Sequence, residues 1–181
     1  MRRDGIHSLF DLPNARIVAP DTRYTEHVQQ LRNDPATAFL LINRAVPSTS
    51  ERVEEWIRSY SPPRHLFFIT SLDGTDFLGY LTVSITDTVS GVAEIGIAMA
   101  EHARGRGIGP DAIAAICKYC RATLAIHKLV AHVLAKNEPS LRVFEGQGFE
   151  RAGLLKEHFF AEHEYWDVVV LELVFPDADR R

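Results

Sequence analysis

Arg104-Gly105-Arg106-Gly107-Ile108-Gly109 separates a β-rich run, Val92–Met99, from a helical pattern spanning about residues 110–125. The first amides of a helix have no internal partners, and the helix dipole places partial positive charge there. Glycines let the chain turn tightly and let a ligand approach those amides, so this junction is expected to hold an anion, best a phosphate or pyrophosphate. Arg104 and Arg106 can add charge-assisted contacts. Pro110 has no amide to donate, which costs little in a first helical turn. Two familiar nucleotide loops fail on spacing. Reading G-x-G-x-x-G from Gly105 ends on Pro110, and no G-x-x-x-x-G-K-[ST] run exists.

Upstream, one helix is expected over 21–33, capped by Asp21 or Thr22, with Tyr24, Val28 and Leu31 on its apolar face. A second opens at Ser48, paired with Glu51 as a capping box, and carries Val53, Trp56, Ile57 and Tyr60 at helical spacing. Strands are expected at 65–71, 77–85 and 92–99, with Asp73-Gly74 as a hairpin turn and Gly96 as a bulge or close approach. Ile113, Ile116, Cys117, Cys120 and Leu124 form the buried stripe of the helix after the glycine loop. A strand at 129–135, a short helix from Asn137 to about Gly146, and a last strand at 166–175 complete the pattern. Two helices, a three-strand antiparallel meander, then strand–helix–strand–helix–strand make a mixed α/β (α+β) sheet covered by helices.

Composition limits the function classes. The chain has 181 residues, 46% hydrophobic and 24% charged, with a net charge of -4, so one folded domain over 1–175 with a frayed tail at 176–181 is expected. The charge argues against nucleic acid as a partner. No apolar run is long enough for a membrane span, and none follows the basic start as in a signal peptide, so a cytoplasmic location is expected. Two cysteines do not make a disulfide scaffold. Cys117-x-x-Cys120 lies mid-helix on the buried stripe and reads as core. The eight histidines show no metal-site spacing, so no metal is expected.

Arg104-x-x-Gly107-x-Gly109 resembles the pyrophosphate-binding motif [RQ]-x-x-G-x-[GA] of the GNAT acyltransferase superfamily. Asn137-x-x-Ser140, Gly148-Phe149 and Gly153 resemble its downstream motif, particularly in the branch containing the RimJ and RimL N-terminal acetyltransferases. Tyr165-Trp166-Asp167-Val168 is similar to that branch's closing strand, and Leu31-Arg32-Asn33-Asp34 with Trp56 is similar to members that acetylate nucleotide-linked amino sugars. The resemblance covers most of the chain from Val18 to Val174.

It implies a GNAT fold, whose mostly antiparallel sheet has a splayed pair of strands, here 92–99 and 129–135. Acetyl-CoA would be the co-substrate, its pantetheine arm in the wedge. Backbone groups around Ile97 and Met99 would contact that arm. Those of Arg104, Gly105, Arg106, Gly107, Ile108 and Gly109 would hold the pyrophosphate, and Asn137 would orient the arm or anchor its loop. The implied reaction is direct attack of a neutral amine on the thioester. A lysine-like amine is neutral about one time in 2,500 at pH 7, an α-amine about one in six to ten, so a general base is useful. By family position Glu94 is the candidate base. The tyrosine that many relatives use as acid is replaced by Phe144, which leaves Ser140 as the nearest substitute, or a plain helix cap. That replacement keeps open a non-catalytic acyl-CoA-binding module as an alternative.

The resemblance leaves two acceptors open, the α-amine of a protein N-terminus or an amino group on a small molecule such as a nucleotide-linked sugar. A nucleotide acceptor would need a second cationic site among Arg23, Arg32, Arg44, Arg52 and Arg58. His158, His163, Glu162, Glu164 and Tyr165 either line an acceptor pocket or are solvated, and Asp167 either meets the acceptor or fixes a strand end. A homodimer through the edge of the last strand is left open.

Overall fold

The computed structural model describes residues 8–42 and 47–176. Residues 177–181 of the expected tail, the basic start and Arg44 lie outside the described residues. Among the described residues, one eight-stranded sheet runs in the order β1 (Ser8–Asp11), β2 (Arg16–Val18), β3 (Arg64–Thr70), β4 (Phe77–Asp87), β5 (Val92–Met99), β6 (Lys128–Leu134), β8 (Glu164–Val174), β7 (Glu150–Ala161). Every strand pairing is antiparallel except that of β5 with β6. This is the expected mixed, mostly antiparallel sheet.

Strand alternation sorts the apolar residues onto two faces. Phe67, Ile69, Leu81, Val83, Ala93 and Ile95 join Ile113, Ile116, Cys117 and Cys120 of α4 (Ile108–Ala122) in one core. Leu66, Phe68, Tyr80 and Ala98 point the other way, against Val28 and Leu31 of α1 (Thr25–Asn33) and Val53 and Ile57 of α3 (Ser50–Arg58). A third cluster gathers Leu134, Phe159 and Val168 beneath Phe39 of α2 (Pro35–Leu40). Helix α5 (Glu138–Glu145) follows β6.

Several expectations need correction. The helix over 21–33 is a 3-10 turn, Thr22–Tyr24, that passes into α1 at Thr25. Ser48 does not cap α3. Its amide donates to Asn33 Oδ1 at 2.9 Å and its carbonyl accepts from Asn33 and Gln29, so Thr49 takes the cap and accepts from the Arg52 amide. Helix α4 spans 108–122, and Leu124 lies past its end, half-buried. Gly96 is not a bulge, because the ladder runs through it opposite Thr82, and the irregularity sits at Ile85/Asp87. An added Cβ at Gly96 would lie 3.1 Å from Thr82 Oγ1, so the close approach is the reason for glycine.

The last strand is not an edge. Residues 150–161 form β7, which pairs outside β8 and is mostly exposed. Strands β1 and β2 and the short α2 were also not expected. Asp34 caps α2 with Pro35 behind it, a start signal hidden by its closeness to α1.

Candidate active site

The glycine loop is built as an open cradle. Gly105 (φ 72°) and Gly107 (φ 77°) take left-handed backbone that side chains rarely adopt. Gly107 caps α4 with no side-chain hydrogen bond among the described residues, so the amides at the helix start are left for a ligand. An ideal Cβ at Gly105, Gly107 or Gly109 would meet no atom within 4 Å. Gly109 is therefore not required by protein packing. The bareness at Gly105 and Gly107 fits the close approach of a diphosphate. Arg106 is exposed beside the loop. The Arg104 side chain instead ties the loop back: Nε donates to the Met99 carbonyl at 3.0 Å and Nη2 to Thr37 Oγ1 at 2.8 Å. Thr37 in turn donates to Asp34, whose carboxyl these bonds hold below its usual range.

Next to the loop the sheet opens. Strands β5 and β6 pair only from Val92–Lys128 to Glu94–Val130, yet β5 continues to Met99 and β6 stays paired with β8 as far as Leu134–Val168. The side of β5 facing β6 thus has no strand partner from Ile95 to Met99 among the described residues. Through this wedge runs a cleft of about 1110 Å³ that reaches both faces of the sheet. On the α4 side it is lined by the loop, Asn137, Ser140 and Phe144. Asn137 Oδ1 accepts from the Ser140 amide at 3.3 Å, so this side chain caps α5. Phe144 is buried edge-to-face on Phe149 at 5.1 Å and offers no proton.

On the opposite side, Glu94 lies 3.3 Å from His132 Nδ1, both partly exposed to the cleft. His132 was missed in the sequence. Leu129, Ala131 and Val133 are the buried alternates of β6, so period two alone puts His132 on the other face, but only the parallel β5–β6 contact brings it to Glu94.

The far wall is aromatic. Trp56 packs on Tyr60 at 5.1 Å and Tyr80 at 5.4 Å, with the Arg32 guanidinium 4.3 Å above Trp56. Burial pushes both tyrosine hydroxyls up, and the Arg32 charge opposes this in each. Trp56 is thus a cleft wall and not only core. Helix α2 closes over the wedge. Its Phe39 packs on Trp166 at 5.6 Å, and the Lys136 ammonium sits 3.5 Å from Trp166 and 4.2 Å from Phe39.

Other candidates separate clearly. His158 lines the cleft, whereas Glu162, His163, Glu164 and Tyr165 are at the exposed β7–β8 turn, away from it. Asp167 Oδ1 accepts from the Glu157 amide at 2.8 Å, which fixes the strand end. Asn33 ties Ser48. Arg23 pairs with Asp21 and Arg58 with Glu54, so of the described candidate arginines in the N-terminal half only Arg32 reaches the cleft. Burial pushes the Cys117 and Cys120 thiols up to about 12, as core residues. Among the described residues no three His, Cys, Asp or Glu side chains gather as a metal site, and no helix is long and apolar enough to cross a membrane.

Comparison with known proteins agrees with this geometry. The L-amino acid N-acetyltransferase AaaT of Escherichia coli is 24% identical over 156 residues, covering 85% of this chain and 94% of that protein. The [ribosomal protein uS5]-alanine N-acetyltransferase of E. coli is 26% identical over 83 residues, 46% of this chain and 43% of that protein. The crystal structure of spermidine N-acetyltransferase from Vibrio cholerae in complex with CoA and spermine shares the fold with a TM-score of 0.82 at 20% identity, covering 88% and 95% of the two chains. Residues 16–150 match the acetyltransferase (GNAT) domain, and the chain belongs to that family of N-acetyltransferases.

Proposed function

We propose that residues 1–175 work as one acetyltransferase domain that moves an acetyl group from acetyl-CoA to a primary amine by direct attack in a ternary complex. One observation carries this reading: the glycine cradle, the unpaired side of β5 and the Glu94–His132 pair all open onto one cleft. The loop from Arg104 to Gly109 would hold the diphosphate through its backbone amides, with Arg106 adding charge. Backbone groups of Ile97 and Met99 would take the pantetheine arm as a partial extra strand, and Asn137 would keep the start of α5 in register with it.

The acceptor enters from the Trp56 side. Glu94, steadied by His132, takes a proton from the ammonium directly or through a water, a contribution of about 10²–10⁴-fold. The neutral nitrogen then attacks the thioester carbonyl carbon, a C–N bond forms, the C–S bond breaks, and the sulfur departs as thiolate. A thiol with a pKa near 8.5 leaves without strong acid help. The second proton lost by the nitrogen as the amide forms would reach the thiolate through the Ser140 hydroxyl, which takes one proton as it gives one, since Phe144 has none. Alignment of the two substrates supplies a further ~7–11 kcal/mol. The motif residues from Asn137 to Phe149 and the similarity to the uS5-alanine enzyme support a place in the RimJ/RimL-like branch.

Titration calorimetry with acetyl-CoA and a thiol-release assay over a set of primary amines test the proposal. Binding and amine-dependent release are expected. Absence of binding at millimolar acetyl-CoA refutes it, and binding without release for any amine leaves the non-catalytic module as the better account.

A further inference from the structure

The acceptor half of the cleft holds a cation, Arg32, that no carboxylate pairs with among the described residues. Among the described lining residues Glu94 is the one carboxylate, against Arg32, Arg104, Arg106 and Arg142. The last three stand at the glycine loop and α5, and Arg104 is already bonded to Met99 and Thr37. Arg32 comes from α1, on the opposite face, and no carboxylate pairs with it among the described residues. It is half-buried. A partly desolvated cation without a counter-ion is costly, and an anion brought by a ligand removes that cost. With one face over Trp56 and one N–H directed at the Tyr80 hydroxyl, the guanidinium still has in-plane N–H groups to offer an oxyanion.

Register sets the size of that ligand. Trp56 packs on Tyr80, which lies opposite Ala98, while Thr82 lies opposite Gly96 and Ser84 opposite Glu94. The Tyr80 level is thus one two-residue step, about 7 Å, from Gly96, where β5 and β6 have parted. Glu94 stands one further step beyond Gly96, so an amine over Gly96 lies between the long Glu94 side chain on one side and the Arg32 side chain, reaching over Trp56, on the other.

Resting on the acetyltransferase reading, we infer that the acceptor is a small amino carboxylate, and that Arg32 grips its carboxylate while Glu94 faces its amine. A polyamine would need several carboxylates along the cleft, and a nucleotide diphosphate more than one free cation on the acceptor side. A single fork suits a single carboxylate.

Thiol release is measured for L-leucine and L-phenylalanine, for the amides of the same two amino acids, and for spermidine. The acids should exceed their amides by about 10–100-fold in kcat/KM, the usual worth of a charge-assisted bidentate contact. This preference runs against intrinsic reactivity, because the less basic amide amines are neutral more often. Arg32→Leu should erase the difference, chiefly through KM. Arg32→Lys, which retains charge without the fork, should recover part of it. Calorimetric affinity for acetyl-CoA should stay unchanged in both variants. If the variants do not fold, the acid-to-amide ratio of the unaltered protein decides. Equal use of acids and amides, preference for spermidine, an acid preference that survives Arg32→Leu, or acetyl-CoA binding with no turnover of the acids overturns the inference. Loss of acetyl-CoA binding itself overturns the acetyltransferase reading instead.

Discussion

Gly107→Ala tests the cradle most directly, because the structure separates its backbone effect from any packing effect. Gly107 sits at φ 77°, and an added Cβ would meet no atom within 4 Å. The cost is thus conformational only, about 1–2 kcal/mol for a left-handed non-glycine residue. For a chain of this size that lowers Tm by about 2–8 °C. A ligand that binds only the folded protein stabilises it by about 2.7 kcal/mol at a hundred times its Kd, a Tm rise of about 5–11 °C. In Gly107→Ala that rise should shrink, because the new methyl group stands where the diphosphate must approach the amides of α4. Gly109→Ala is the control. No left-handed φ is forced there, no atom crowds the new Cβ, and the family motif admits alanine, so Tm should hold or increase and the rise with CoA should persist. Differential scanning calorimetry with and without CoA reads both quantities. If Gly107→Ala shows the full ligand-induced rise, the loop does not hold the diphosphate and the reasoning fails.

Glu94→Gln should lower kcat by about 10² or more and leave acetyl-CoA affinity unchanged; an unaltered rate would move the base to His132 or His158. Cys117 and Cys120, with thiols pushed up to about 12, should resist a disulfide reagent at pH 8 in the native protein and react once it is unfolded in denaturant; rapid native labelling would contradict their burial. Asp34→Ala removes the cap of α2 and the bond that steadies Thr37 under Arg104, and should cost about 1 kcal/mol in stability. Because the Asp34 pKa is lowered in the folded state, its contribution is complete above the ordinary value of 3.8 and is lost as pH falls below it, so the difference between Asp34→Ala and the unaltered protein in thermal melts should close in acid.

The parts of the site that were legible in advance are local ones. The glycine loop, Asn137 and the buried stripe of α4 are read from neighbours a few residues apart, where backbone geometry and helix period act directly. Strand β7 escaped notice because an exposed edge needs little apolar alternation, and α2 because six residues behind another helix show little period. Asp167 could not be assigned until Glu157 was seen to donate to it from a bulged neighbour strand.

By itself the sequence determined that a helix N-terminus would meet a glycine turn after a strand, that helices would cover a mixed sheet, and that Phe144 could supply no proton. Those follow from steric and hydrogen-bonding rules within a few residues. Only the tertiary structure decided that β5 and β6 part after Glu94, that His132 reaches that carboxylate, and that Arg32 lies over Trp56 with no carboxylate paired to it among the described residues. Each of these joins residues far apart in the chain, and their meeting is set by strand order and the packing of whole elements, which short-range pattern does not encode.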